Sequence, residues 1–162
     1  MGTTTNNGWP YPESTDYVAD GATAIENLAD AIDADIKYAT FTTSVAQGGG
    51  VASTTSYFFY QQVDEWVFCQ ARIVMTGSGV GNNAITVNVP IGIEQTVSAL
   101  GTGRILDAGT RYDTVQVFGS SVNSVYFVLT EKTTTQPYGQ DPNMALNAGD
   151  EIWMNISYRR DV

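Results

Sequence analysis

The hydrophobic positions of this chain change period once. Between residues 22 and 36 they recur at steps of 3, 4, 3 and 4, through Ala22, Ile25, Ala29, Ile32 and Ile36. That is one face of a helix. Asp20 is a short side-chain acceptor suited to cap it, and the pattern predicts a helix from about residue 20 to residue 38. Leu28 flanks the stripe. A stripe this narrow is a heptad seam, and Ile at both seam positions favours three strands over two. Two heptads make a marginal helix alone. The helix therefore needs support, either from copies of itself in a homotrimer or from the β-domain of its own chain.

From residue 40 the period becomes two, the signature of strands. Residues 41–45 predict a short strand ended by Gly48-Gly49-Gly50, and residues 54–60 a second. Residues 65–75 predict the longest strand, with Val67, Cys69, Ala71, Ile73 and Met75 on one face and Trp66, Phe68, Gln70 and Arg72 on the other. Ile85, Val87 and Val89 share one side of residues 84–89. A strand or two is expected between residues 96 and 106, interrupted by Gly101 and Gly103. Residues 112–118 and 124–130 read as a hairpin across 119–123, the second burying Val125, Phe127 and Leu129. A long loop over 133–146 carries Pro137 and Pro142. The last strand, 151–159, turns Ile152, Met154, Ile156 and Tyr158 inward. Short strands at this spacing, punctuated by Gly and Asn, predict an antiparallel β-sandwich. The expected organisation is mainly β: an extended arm over 1–19, one α-helix over 20–39, and a jelly-roll-like sandwich knob over 40–162.

The arm carries Trp9-Pro10-Tyr11-Pro12. Proline fixes its own φ and biases the preceding residue toward extended backbone, so two prolines one residue apart hold the segment straight. Both preceding residues are aromatic. Trp9 and Tyr11 are expected to act as a peg in a groove on a partner, as interface aromatics do; the alternative is that the arm folds back on its own chain.

Gly8-Trp9-Pro10-Tyr11-Pro12-Glu13, a nearby Asp16 and the Ala/Ile/Leu helix ending Ala31-Ile32-Asp33 resemble the N-terminal segment of virion proteins of tailed phages that infect actinobacteria. These are minor tail, fibre and head-decoration proteins. The resemblance covers roughly residues 6–36 and implies a virion protein made in a host cytoplasm, attached to capsid or tail proteins through its arm. Ala148-Gly149-Asp150-Glu151-Ile152, followed by alternation to Tyr158, resembles the last strand of jelly-roll heads of the tumour-necrosis-factor and complement type, which are usually trimers.

Charge narrows the partners. The formal net charge is −10, with no histidine, which argues against nucleic-acid binding through a basic patch. Residues 1–36 hold seven acids (Glu13, Asp16, Asp20, Glu26, Asp30, Asp33, Asp35) and no Lys or Arg. This fits either a basic docking partner or a solvated acidic face, and in a parallel trimer the acids would repel one another. The start of the chain has no basic and apolar regions of a signal peptide, and no stretch is apolar enough to span a membrane.

Residue types also narrow the chemistry. Without histidine there is no Ser-His-Asp or Cys-His arrangement, and one Cys cannot hold zinc. Gly77-Ser78-Gly79-Val80-Gly81 is glycine-rich but lies between strands without a lysine, so it reads as a mobile hairpin loop rather than a phosphate cradle. The acid pairs Asp64-Glu65 and Asp150-Glu151 read as turn residues rather than the separated carboxylates of a glycosidase. Asp30, Asp33 and Asp35 lack the spacing of a calcium loop. No enzymatic activity, metal or cofactor is expected. The expected function is a trimeric surface spike or decoration protein of a phage virion. The alternative is a minor tail or tail-fibre tip protein whose exposed aromatics, Tyr57, Tyr60 or Tyr138, bind a host glycan.

Overall fold

Period-two alternation becomes a single curled antiparallel sheet. A computed structural model describes residues 2–4, 8–13, 20–36, 38–94, 99–131 and 136–161, with the side chains of 33–36 outside that description. Asp16, the side chains of Asp33, Asp35 and Ile36, and part of the 133–146 loop thus lie outside the described residues. In chain order the elements are β1 (Gly2–Thr3), β2 (Pro10–Tyr11), α1 (Gly21–Ile36), β3 (Ala39–Thr40), β4 (Val45–Ala46), β5 (Gly50–Val51), β6 (Ser53–Val63), β7 (Trp66–Met75), β8 (Thr86–Asn88), β9 (Ala99–Asp107), β10 (Arg111–Ser121), β11 (Ser124–Leu129) and β12 (Glu151–Arg159).

The ten strands from β3 onward pair in the order β3-β6-β7-β12-β9-β10-β11-β8-β4-β5. The two ends of that order belong to one hairpin. β3 and β4 are paired stretches of segment 39–46, and β5 runs through Ala52 into β6 over 50–63. The segments pair with each other at Ala46↔Gly50 and Val45↔Val51, and again at Thr40↔Phe59 and Ala39↔Tyr60. The outer edge of 39–46 pairs with β8, and that of 50–63 with β7. The strand circuit thus returns to its start and encloses one core.

Alternation decides what enters that core. Val67, Cys69, Ala71, Ile73 and Met75 of β7 and Ile152, Met154, Ile156 and Tyr158 of β12 are all buried, as their spacing predicts. Val115 and Val117 of β10, Val125 and Phe127 of β11, and Ile85, Val87 and Val89 around β8 complete it. Each fully buried aliphatic or aromatic side chain contributes about 1.5–3 kcal/mol. The expected break at Gly101 and Gly103 does not occur, because β9 runs through both residues. A Cβ on Gly101 would meet the Asn155 carbonyl, and one on Gly103 the Trp153 carbonyl. These glycines let β9 coil tightly against β12 rather than ending the strand.

The arm is not one straight run. Gly2↔Tyr11 and Thr3↔Pro10 form a separate small ladder, closed by Thr4 N–H to Trp9 O at 2.8 Å and by Trp9 N–H to Thr4 Oγ1 at 2.9 Å. Pro10 fits because it stands at the start of an edge strand. Helix α1 lies against β2 and β6. The stripe it turns to its own chain is Gly21, Ala24, Leu28 and Ala31, with Ala24 only 2% exposed. The seam residues Ala22, Ile25 and Ala29 lie about one residue, or roughly 100°, around the helix and are exposed, Ile25 at 64%; Ile32 is half-buried.

Candidate functional site

The outward face of β6-β7-β12-β9-β10 carries the chain's concentration of exposed aromatics. Because inward positions alternate with outward ones, burial of Val67 through Met75 and Ile152 through Tyr158 turns Trp66, Phe68, Gln70, Arg72, Trp153, Asn155 and Ser157 outward. Register then aligns them in rows across the strands. Tyr57, Arg72, Trp153 and Arg104 form one row, through the pairs Tyr57↔Arg72, Trp153↔Arg72 and Trp153↔Arg104. The next row is Phe59, Gln70, Asn155, Thr102 and Gln116.

Trp153 is held from two sides. Its Nε1–H donates to Glu151 Oε2 at 2.7 Å, and the Arg72 guanidinium lies over its ring at 5.0 Å from the centroid. Arg72 in turn grips Glu151 with Nε at 2.9 Å and Nη2 at 2.7 Å. A half-exposed pair of this kind adds little stability, but its bidentate geometry fixes orientation. The Arg72 hydrogen bond, seconded by that from Trp153, holds the Glu151 carboxyl below its ordinary range. The indole is still 39% exposed. Tyr57 and Phe59 stack at 5.6 Å on β6. Beside them a groove of about 440 Å³ is lined by Tyr38, Phe68, Gln70, Thr102, Asn155 and Ser157 among others.

Charge on this face runs against that of the whole chain. Among the outward positions of the five strands the one acid is Glu151, and it is neutralised by Arg72. Arg159 pairs with Glu65 and Glu94 at the far end. Arg104 is exposed and has no ion-pair partner among the described residues.

The aromatics singled out in the sequence separate in the structure. Tyr57 lies on this face. Tyr60 pairs opposite the buried Cys69 and packs against the core. Tyr138 is a correction: it is fully buried, not an exposed ligand-binding ring. Its backbone bonds to Phe127 O and Ile85 N–H, which draws it into the core, where its hydroxyl donates to Asp113. The acid pairs take structural places. Asp64 occupies a positive-φ turn position and Glu65 pairs with Arg159. Asp150 is buried and accepts from the Ala108 and Asn147 N–H groups, each at 2.8 Å. Among the described residues no three potential metal-ligating side chains gather. The glycine-rich 77–81 loop is pinned rather than loose: Gly79 N–H bonds to Leu146 O and Val80 N–H to Gln47 O. Of the arm residues, Trp9 and Pro10 are half-buried, whereas Tyr11 and Pro12 are exposed.

Comparison with protein-family models, with characterised proteins and with solved structures returns no match for this chain.

Proposed function

We propose that this chain is a non-enzymatic structural protein of a bacteriophage virion, a homotrimeric surface spike or decoration protein. Residues 1–19 attach it to other virion proteins, and the β-domain is the displayed knob. The observation that carries the reading is the pair of apolar stripes on α1: Ala24 and its row meet the chain's own β-structure, while Ala22, Ile25 and Ala29 stay exposed. An exposed Ile at a heptad position is the expected face of a helix that packs on copies of itself. The strand circuit supports a jelly-roll reading of the knob, since β7 to β8, β8 to β9 and β11 to β12 all join non-adjacent strands. The Gly8-to-Glu13 resemblance supports virion origin. Light scattering of the purified chain tests the assembly. It should give about three times the 17.4 kDa monomer mass, and Ile25→Asp should reduce this to one. A wild-type chain that stays monomeric at micromolar concentration removes the seam argument. Immunogold labelling of intact particles tests the location: label on neither head nor tail ends the virion reading.

A second reading, a minor tail or tail-fibre tip protein that binds a host glycan, is favoured by the aromatic face around Trp153.

A further inference from the structure

The face around Trp153 has three properties that together define a ligand. First, it presents a pre-oriented flat ring: the indole is fixed at its nitrogen by Glu151 and on its face by Arg72. Fixing a ring before binding lowers the ordering cost of docking. Second, what surrounds the ring is not a dry apolar surface. The adjoining row is Gln70, Asn155 and Thr102, two planar amides and a hydroxyl. These groups donate and accept in fixed planes, which suits a ligand with several hydroxyls around an apolar ring face. Third, Arg104 stands directly opposite Trp153 in the β12/β9 register. Side chains at such positions are about 4.5–5.5 Å apart at Cβ, so the guanidinium lies within reach of a substituent on a ring over the indole. Unlike Arg72, Arg104 has no carboxylate partner among the described residues.

We propose that this face binds a carboxylated pyranose, a uronic-acid-type unit of a surface polysaccharide. The C–H face of the sugar packs on the side of the Trp153 indole away from Arg72, its hydroxyls meet Asn155 and Thr102, and its carboxylate takes the fork of Arg104. Planar bidentate recognition of a carboxylate is what Arg supplies and Lys does not. The groove opens in the row next to Trp153, at Asn155, and runs along β12 to Ser157, four residues on from Trp153, and across to Phe68 and Tyr38. Four residues of strand span roughly 13 Å, so the polymer extends past one ring. The net charge of −10 makes an anionic ligand the less expected class. It is the local balance of the face, where Glu151 is neutralised and Arg104 is not, that selects one.

The inference rests on the glycan-binding reading, not on the trimer. The test uses the full chain labelled with ¹⁵N and follows its three tryptophan indole N–H signals during titration with methyl β-D-glucuronide, its methyl ester and methyl β-D-glucoside. The Trp153 signal should shift saturably, with the glucuronide bound roughly tenfold more tightly than the two neutral sugars, the scale of one charge-assisted hydrogen bond. Arg104→Gln should bring the glucuronide down to the glucoside level and leave the glucoside unchanged. Trp153→Ala should abolish binding of all three sugars. Absence of a saturable shift, equal affinity for charged and neutral sugars, or a response confined to Trp9 or Trp66 overturns the proposal. So does a Trp153→Ala variant that binds normally, or one that loses its trimer mass, which would make this face a subunit interface. Both Arg104 and Trp153 point outward, and Arg104→Gln alone tests the charge selection if the Trp153 variant does not fold. Failure of sugar binding leaves the light-scattering mass unaffected, so the two readings fail separately.

Discussion

Gln47→Leu should be among the most destabilising single changes to a polar residue of this protein. Gln47 is 1% exposed. Its Oε1 accepts the Leu146 N–H at 2.8 Å, and its Nε2 donates to Met144 O at 2.6 Å and to Asn83 O at 3.3 Å. One side chain thus joins the hairpin 39–63, the loop before β8 and the loop before β12. Leucine is close in size but leaves the Leu146 N–H and the Met144 carbonyl buried without partners. Each such orphan costs about 1–3 kcal/mol, so the pair comes to about 4 kcal/mol, a large share of the 5–15 kcal/mol that typically holds a domain together. For a chain of this size that lowers Tm by roughly 8–16 °C. Thermal unfolding followed by circular dichroism reads this, and hydrogen exchange of the Leu146 amide reads its cause. Gly79→Ala should act in the same direction, because a Cβ there meets Gln47 Oε1. A Gln47→Leu variant within about 1 kcal/mol of wild type, or one in which the Leu146 amide stays protected, refutes the reasoning.

Cys69 is 5% exposed and burial pushes its thiol up to about 12, so a thiol reagent at pH 8 should label it only at the rate of unfolding; rapid stoichiometric labelling of the native chain contradicts this. Glu151 is held below its ordinary 4.5 by Arg72 and Trp153. Its contribution to stability is therefore full above that value and lost as pH falls through the lower folded value, so wild type but not Glu151→Gln should lose Tm in that acid window. Gly101→Ala should cost more than about 3 kcal/mol, because its Cβ is directed at backbone rather than at a movable side chain; chemical denaturation measures it. Trp9→Ala should weaken attachment by about 2 kcal/mol per chain, read as a collapse of occupancy on particles, while Tm barely moves, whereas a sharp fall in Tm with attachment intact would assign Trp9 to the protein's own packing.

The faces of β7 and β12 were legible because alternation is a local signal, and Ile73 or Met154 needs no knowledge of its neighbours to be placed inside. The helix was legible in extent, but its buried stripe was not. Ala24, a small residue, is buried where close approach favours it, and Ile25 is left outside. Gly101 and Gly103 read as breaks because the sequence does not show that β12 would press against them. Asp150 read as a turn residue and Gln47 stood out in no way, since a buried amide and an exposed one look alike until their partners, up to 99 residues away, are known. Tyr138 read as exposed because its loop is polar and proline-rich. The candidate face was half legible. Phe68, Gln70 and Arg72 were assigned to one side, but Trp153 and Arg104 join them only because β12 inserts between β7 and β9, a neighbour relation that follows from long-range crossovers.

The closure of the sheet has a mechanical consequence. Segment 39–46, which completes the circuit, is also the first strand segment after α1. Once α1 has come away from β6, a pull on the N-terminal helix therefore loads the two-residue pairings of β3 with β6 and of β4 with β5 and β8. Short ladders of this kind peel one rung at a time at low force. β12, the last strand in sequence, lies mid-sheet between long ladders to β7 and β9, so the opposite end of the chain resists as a block. A tether through the helix would thus yield by unzipping the first strand segment, giving a compliant neck while the Trp153 face, carried by the central strands, keeps its geometry under load.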